Sequence, residues 1–138
     1  MPFKDPKKQK AYDRERQKRL RADPEYVKLE RERTKLCTEK RTIKNKSKAI
    51  EYTGGLQCHN PNCVYIKHGE TLELCQIDFH HVIEQNKTGN FGTMFASNKW
   101  ETVKLEIDNC KAMPLCRNCH SLETWGTDEE RFGHILDA

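Results

Sequence analysis

The sequence has few apolar residues and no long apolar run. Only 35% of its 138 residues are hydrophobic and 8% are aromatic, while 33% are charged; an average globular protein has about 25% charged residues. No run approaches the roughly 20 apolar residues that cross a bilayer, so we expect no membrane span. The first residues, MPFKDPKKQK, lack the apolar stretch of a secretory signal, which predicts a cytoplasmic chain. The length also excludes a separate nucleotide-cofactor domain.

The net charge of +4 conceals a basic part and an acidic part. Residues 1–50 contain 18 Lys and Arg against 8 Asp and Glu, whereas residues 51–138 contain 7 against 13. Residues 1–50, the basic arm, have too few apolar residues to fold alone. Residues 51–138, the body, form a domain so small that we expect it to need a stabilising cross-link (a staple) in addition to its hydrophobic core.

The basic arm compensates for a body that is too acidic to bind DNA well, because neutralisation of phosphates dominates affinity. We therefore interpret the arm as a helical segment that tracks the backbone of double-stranded DNA; the alternative is a solvated charged helix. The cations predicted to contact DNA are Lys7, Lys8, Lys10, Arg14, Arg16, Lys18, Arg19, Arg41, Lys44 and Lys46.

Local signals predict the secondary structure. Asp23 and Pro24 suit the cap and the first position of a helix, so we expect a long helix over 24–50, after a nascent helix over 4–21, with Gly54 and Gly55 as its stop signal. In the body we predict a strand over 72–80, a loop over 84–97, a helix over 98–108, a strand over 111–115 and a helix from 116–119 to Trp125.

Seven cysteines in a chain without an export signal favour metal binding over disulfides. Two pairs form short knuckles about fifty residues apart, and two such turns supply the four thiolates of a structural zinc site. The predicted ligands are Cys58, Cys63, Cys116 and Cys119. Cys75 and Cys110 are isolated in apolar contexts, so we assign them to the core.

Three histidines are the candidates for chemistry. His80 and His81 end a predicted strand, where adjacent side chains point to opposite faces. One imidazole can therefore hold a divalent ion while the other accepts a proton from water. His120 follows Cys119 at the start of a helix, in a place suited to a second ligand. Arg117 beside it either contacts a phosphate group or is a surface charge.

The order Cys-x4-Cys, FHHV and NCKAMPLCRNCH resembles the HNH nuclease family, in its four-cysteine zinc branch, over roughly residues 50–126. The resemblance extends to Lys87, Phe91-Gly92 and the segment from Trp100 to Cys110. Two positions depart from the family: the first knuckle has four intervening residues where relatives often have two, and Thr124 stands where many have another histidine. Because Thr124 replaces that histidine, this chain would have fewer protein ligands for the metal ion that the family uses in catalysis.

The resemblance implies a small ββα-metal fold. Together with the zinc site and the basic arm, it predicts an α+β chain with a DNA-binding arm over 1–50 and a zinc-stapled nuclease domain over 51–138. It implies a phage or bacterial endonuclease in the host cytoplasm that serves homing, restriction or DNA packaging. On this pattern His81 is the general base, and His80 and His120 bind one ion. That ion would be Mg²⁺ or Mn²⁺, although Zn²⁺ and Ni²⁺ also suit imidazole. The family's middle asparagine maps to Asn109, with Asn118 as the second choice.

Two other functions fit the same residues. A non-catalytic zinc-ribbon protein would use the knuckles and the arm to bind DNA, with incidental histidines. An accessory nuclease would act only with protein partners in a larger assembly, such as a phage packaging motor.

Overall fold

The computed structural model describes residues 4–67, 72–127 and 130, in an α+β arrangement that is mostly helical. Its elements are α1 (Pro6–Arg21), α2 (Pro24–Tyr52), α3 (Val64–Lys67), β1 (Ile77–His80), α4 (Phe91–Ser97), α5 (Trp100–Cys110), β2 (Met113–Cys116) and α6 (Arg117–Trp125). Single 3₁₀ turns lie at Leu74–Gln76 and Glu84–Asn86. The chain divides into two compact units, residues 1–40 and 41–138, called the N-terminal and C-terminal units below.

The N-terminal unit consists of α1 and the first part of α2. Asp5 caps α1 by accepting a hydrogen bond from the Lys7 N–H, and Asp23 caps α2 by accepting one from the Glu25 N–H. Both helices begin with proline, whose missing N–H costs nothing at that position. No residue of α1 is buried, so its side chains are available to solvent.

The C-terminal unit begins ten residues before the 50/51 boundary expected from charge, because the end of α2 belongs to its core. Asn45, Ala49 and Ile50 are the buried residues of α2. The Asn45 side-chain amide donates to the carbonyl oxygens of Phe95 (2.9 Å) and Asn98 (3.0 Å), which closes the C-terminal end of α4. Only the end of this helix contributes to the core, since three of its earlier apolar residues are exposed, namely Leu29, Leu36 and Ile43.

The strands β1 and β2 form a two-stranded antiparallel sheet in which Ile77 pairs with Cys116 and His80 with Met113. Burial alternates along β1: Ile77 and Phe79 are buried, whereas Asp78 and His80 are half-buried. Phe79 packs with Phe91 and Phe95 at ring-centroid distances of 5.6 and 5.5 Å. The sheet therefore places one face on the aromatic core and leaves polar side chains on the other.

The structure corrects three expectations. The segment 84–97 is not a loop throughout, since Phe91, Met94 and Phe95 recur at helical spacing and are buried along α4. The first strand covers only residues 77–80, because a 3₁₀ turn occupies Leu74–Gln76. That turn exposes Cys75, which was assigned to the core, whereas Cys110 is buried as expected.

Candidate metal centre and histidine cavity

Four cysteines from both knuckles converge in the C-terminal unit and are called the four-cysteine cluster below. Cys58 and Cys63 flank the turn before α3, Cys116 ends β2 and Cys119 lies in the first turn of α6. All four are buried, and their sulfur atoms lie within 4.8 Å of one another. The Sγ atoms of Cys63 and Cys116 are 3.7 Å apart; four sulfurs about 2.3 Å from a zinc ion would be about 3.8 Å apart. The cluster can hold a metal ion, and its geometry suits zinc.

The surroundings of the four-cysteine cluster match a site for a cation. Burial raises the pKa of the Cys119 and Cys58 thiols, whereas at Cys63 burial is outweighed by hydrogen bonds with neighbouring backbone groups, which lower its pKa. A bound cation would stabilise the thiolate form of all four sulfurs. Two N–H donors already face the sulfurs: the Cys119 N–H lies 3.4 Å from Cys116 Sγ, and the Asn60 amide lies 3.3 Å from Cys119 Sγ. Such donors orient and stabilise thiolate ligands in metal sites.

The four-cysteine cluster fixes where α6 begins. Cys116 is the last residue of β2 and also the N-cap of α6, and the His59 N–H donates to the Pro114 carbonyl at 2.9 Å. The first knuckle is therefore attached both to the sheet and to the helix. His120, one residue after Cys119, is held in register with β1 by this attachment.

A cavity of about 510 Å³ opens on the polar face of the sheet, and all three candidate histidines line it. The rings of His80 and His120 lie 5.5 Å apart between centroids, at 67° to each other. The other charged groups of the lining are Lys46, Asp78, Glu84, Lys87 and Arg117. Thr124, at the position of the missing histidine, also lines the cavity. The cavity thus combines paired imidazoles with cations suited to an anionic ligand.

Asp78 links two of the groups that α6 brings to the cavity. Its Oδ2 lies 3.4 Å from His120 Nδ1, and its Oδ1 lies 3.8 Å from Arg117 Nε. A proton on Nδ1 facing this carboxylate leaves the lone pair of His120 on Nε2, which orients the ring as a metal ligand. Burial lowers the pKa of Lys46, and the negative charge of Asp78 opposes that shift. Asp78 was not among the residues predicted from the sequence.

His81 follows β1 directly and has a different environment from His80. It is buried and stacks on Phe91, with ring centroids 4.4 Å apart. Burial lowers its pKa, as does the charge of Lys87, whereas Glu106 opposes the shift. The ring is therefore held mainly in its neutral form, which can accept a proton. His80 and His81 differ in burial, but β1 ends at His80 and both side chains line the same cavity, so the expected placement on opposite faces of a strand does not apply to this pair.

Glu106 of α5 is a buried carboxylate whose Oε1 lies 3.3 Å from His81 Nε2. Burial opposes its ionisation, but hydrogen bonds from the Thr88 hydroxyl and N–H outweigh this effect and lower its pKa. Glu106 is therefore a negative charge beside the His81 ring. It was not predicted from the sequence, although it falls on the apolar face of α5 with Val103, Ile107 and Cys110, where a lone carboxylate signals a specific partner.

Neither candidate asparagine is among the described residues that line the cavity. The backbone carbonyl of Asn109 accepts a hydrogen bond from the Asn86 amide at 2.9 Å, and the neighbouring Cys110 carbonyl accepts one from the Ile83 N–H. The segment after His81 is thus attached to the end of α5 through main-chain carbonyls. Asn118 lies elsewhere, with its amide 3.2 Å from the Tyr65 hydroxyl.

The predicted DNA-binding cations differ in exposure. The seven on α1, together with Arg41 and Lys44, are exposed; Lys46 is half-buried, and the side chain of Arg117 is exposed at the cavity rim. The seven predicted cations of α1 are Lys7, Lys8, Lys10, Arg14, Arg16, Lys18 and Arg19; Arg21, which was not predicted, is a further exposed cation of this helix. Lys46 and Arg117 are therefore the cations from this set that share the cavity with the histidines.

Comparisons with known proteins give no relative of this chain: no family model, no curated protein and no solved structure matches it. Within residues 4–67 and 72–127, no helix is both long enough and apolar enough to cross a bilayer.

Proposed function

We propose that this chain is a metal-dependent DNA endonuclease of the HNH type, with β1, β2 and α6 as its ββα-metal core. The observation that carries the proposal is the convergence of His80, His81 and His120 on one cavity, although His120 is about forty residues from the pair in sequence. The order of the elements supports it as well, since β2 leads directly into α6 through Cys116. The substrate is double-stranded DNA.

His80 and His120 are the proposed ligands of the catalytic ion, and the residues around them fit such an ion. Their rings face a shared open cavity, and the Asp78 carboxylate fixes the His120 ring. When bound there, Mg²⁺ or Mn²⁺ neutralises charge on the phosphate and on the departing 3′ oxygen. Imidazoles also suit Zn²⁺ and Ni²⁺, whereas the nearby carboxylate favours the harder ions.

His81 is the proposed general base. Its Nε2 is buried against Glu106, so the proton of the neutral ring belongs on Nε2 and the lone pair on Nδ1. Nδ1 takes a proton from water as the water oxygen attacks phosphorus and the bond to the 3′ oxygen breaks. The departing 3′ oxygen takes a proton from solvent, so the products are a 5′-phosphate and a 3′-hydroxyl. Glu106 acts as a positioning residue for the ring, and the Asn109 carbonyl positions the segment that follows it.

The scissile phosphate is bound by the cations of the cavity. Three separate segments of the chain supply these cations: Lys46 lies on α2, Lys87 in the segment before α4, and Arg117 on α6. Arg117 presents a planar donor group at the rim, which suits a phosphate oxygen. The structural zinc of the four-cysteine cluster keeps α6, and with it Arg117 and His120, in place.

The direct test of this function is relaxation of supercoiled plasmid by the full, zinc-loaded chain. We expect nicked or linear DNA only when Mg²⁺ or Mn²⁺ is added. DNA binding without cleavage under every metal condition would contradict the proposal. That result would instead favour the non-catalytic DNA-binding function.

The exposed cations of α1 are expected to supply much of the affinity for DNA. Changing the seven predicted cations of α1 to glutamine preserves helix propensity and disturbs no buried side chain, because α1 buries none. We predict weaker binding and a log–log salt slope reduced by up to about 6, at about 0.9 for each phosphate that is no longer neutralised. Fluorescence anisotropy across a salt series measures both.

The control for this experiment changes Lys99 and Lys111, two exposed lysines of the C-terminal unit outside the cavity lining, to glutamine. These changes should leave the slope close to that of the wild type. An unchanged slope in the sevenfold α1 variant would show that the basic arm does not track phosphates.

A further inference from the structure

His81, Glu106 and Cys110 form a second cluster of metal-ligand types, separate from the four-cysteine cluster. All three are buried, and one donor atom of each lies within 4.8 Å of the others. His81 Nε2 lies 3.3 Å from Glu106 Oε1, but the contact does not have the geometry of a hydrogen bond, so this buried atom has no hydrogen-bond partner among the described residues. A buried polar atom without such a partner is unfavourable, so an occupant that pairs with it is favoured.

Two distances within this cluster are close to those between ligands of a tetrahedral ion, and the third pair of donor atoms lies within 4.8 Å. His81 Nε2 lies 3.3 Å from Glu106 Oε1, and Cys110 Sγ lies 3.5 Å from the same oxygen. Around a zinc ion at usual bond lengths, nitrogen and oxygen ligands lie about 3.3 Å apart, and sulfur and oxygen ligands about 3.6 Å apart. The three donors therefore need little movement to share one ion.

We propose that His81 Nε2, Glu106 Oε1 and Cys110 Sγ form a second binding site for zinc or a zinc-like ion. Nitrogen, oxygen and sulfur ligands together select such borderline ions over Mg²⁺, which prefers oxygen. On binding, the Cys110 thiol loses its proton to solvent and its sulfur exchanges its contact with Glu106 Oε1 for a bond to the ion. The site takes one ion for each chain.

Occupation of this site would inhibit the nuclease, a consequence that rests on the proposed function. A neutral imidazole has one N–H, so an ion on Nε2 moves the proton of His81 to Nδ1. Nδ1 is the nitrogen proposed to take the proton of the attacking water, and once protonated it cannot do so. Zinc above one equivalent per chain would then inhibit cleavage by blocking the base, without displacing DNA.

The binding test uses the zinc-loaded full chain with Cys37→Ser and Cys75→Ser, which removes the two exposed cysteines. Cys110 is then the one thiol outside the four-cysteine cluster. We expect one equivalent of Co²⁺ to produce a thiolate-to-cobalt charge-transfer band, and C110S in this background to lose it. Zinc analysis after titration confirms that the four-cysteine cluster has kept its zinc. A band that survives in C110S, or no band before that change, would overturn the site.

The inhibition test compares the same two proteins in the plasmid assay. Added zinc should inhibit the background protein but have at least tenfold less effect on C110S, when each protein is compared with its own rate without added zinc. Equal inhibition of both would contradict the inhibitory mechanism and place the inhibiting zinc elsewhere. Absence of cleavage by either protein would count against the proposed nuclease, while the cobalt band would still decide whether the site exists.

Discussion

Replacing His81 with alanine is expected to lower the rate of plasmid nicking by about 10²–10⁴-fold, the usual contribution of a general base. The change removes the imidazole that lies beside the buried Glu106 carboxylate and whose pKa is lowered by burial. DNA affinity should remain close to that of the wild type, because the cations of α1 and of the cavity are untouched. Initial rates of plasmid nicking and anisotropy binding curves measure the two effects.

His59→Ala provides the matched control, since His59 is also an imidazole with a buried Nε2 but does not line the cavity. Thermal unfolding of both variants corrects for stability, because His81 also packs on Phe91. A rate for H81A within about threefold of the wild type would exclude His81 as the base. A loss in H59A equal to that in H81A would assign the effect to folding.

Removing the metal from the four-cysteine cluster is expected to unfold the C-terminal unit. Zinc contributes roughly 10–16 kcal/mol in small zinc domains, which equals or exceeds the whole stability of a typical domain of roughly 5–15 kcal/mol. Here the ion would join the turn before α3, the end of β2 and the start of α6. We predict that a strong chelator or Cys116→Ser abolishes the cooperative thermal transition, as followed by near-ultraviolet circular dichroism.

Cys75→Ser is the matched control for Cys116→Ser, because Cys75 is exposed and lies outside the cluster. It should unfold at the wild-type temperature with one zinc per chain. A cooperative transition that persists in Cys116→Ser at the same temperature would show that the sulfurs are not bound to a stabilising ion.

The sequence predicts the elements whose signals are local. Asp23 and Pro24 mark the start of α2, and helical spacing from Trp100 to Ile107 predicts most of α5. The expectation of a loop over 84–97 was wrong for its second half. The glycines and threonines of this segment are typical of a loop, yet Phe91–Ser97 forms α4. Tertiary packing of Phe91 and Phe95 against Phe79 decides that segment, and contacts of that kind are absent from local composition.

The four cysteines of the candidate site can be predicted from the sequence, whereas the carboxylates beside the histidines cannot. Spacing within two knuckles is enough to identify the four cysteines, since each pair is local. Glu106 approaches His81 from another element, and Thr88 reaches it from a third, so no short motif contains the group. Asp78 is two residues from His80 on the same face of β1. Its role in the site depends on its contact with His120, which α6 brings beside the strand.

Binding of Mn²⁺ to the zinc-loaded full chain, followed by electron paramagnetic resonance, tests most directly whether His80 and His120 hold the catalytic ion. We predict one Mn²⁺ per chain, with nitrogen couplings from coordinated imidazole in pulsed spectra. His80→Ala and His120→Ala should each weaken binding by about tenfold or more, while His59→Ala should not. Wild-type Mn²⁺ affinity in both cavity variants, or spectra without imidazole coupling in the wild type, would contradict this assignment of the ion's ligands.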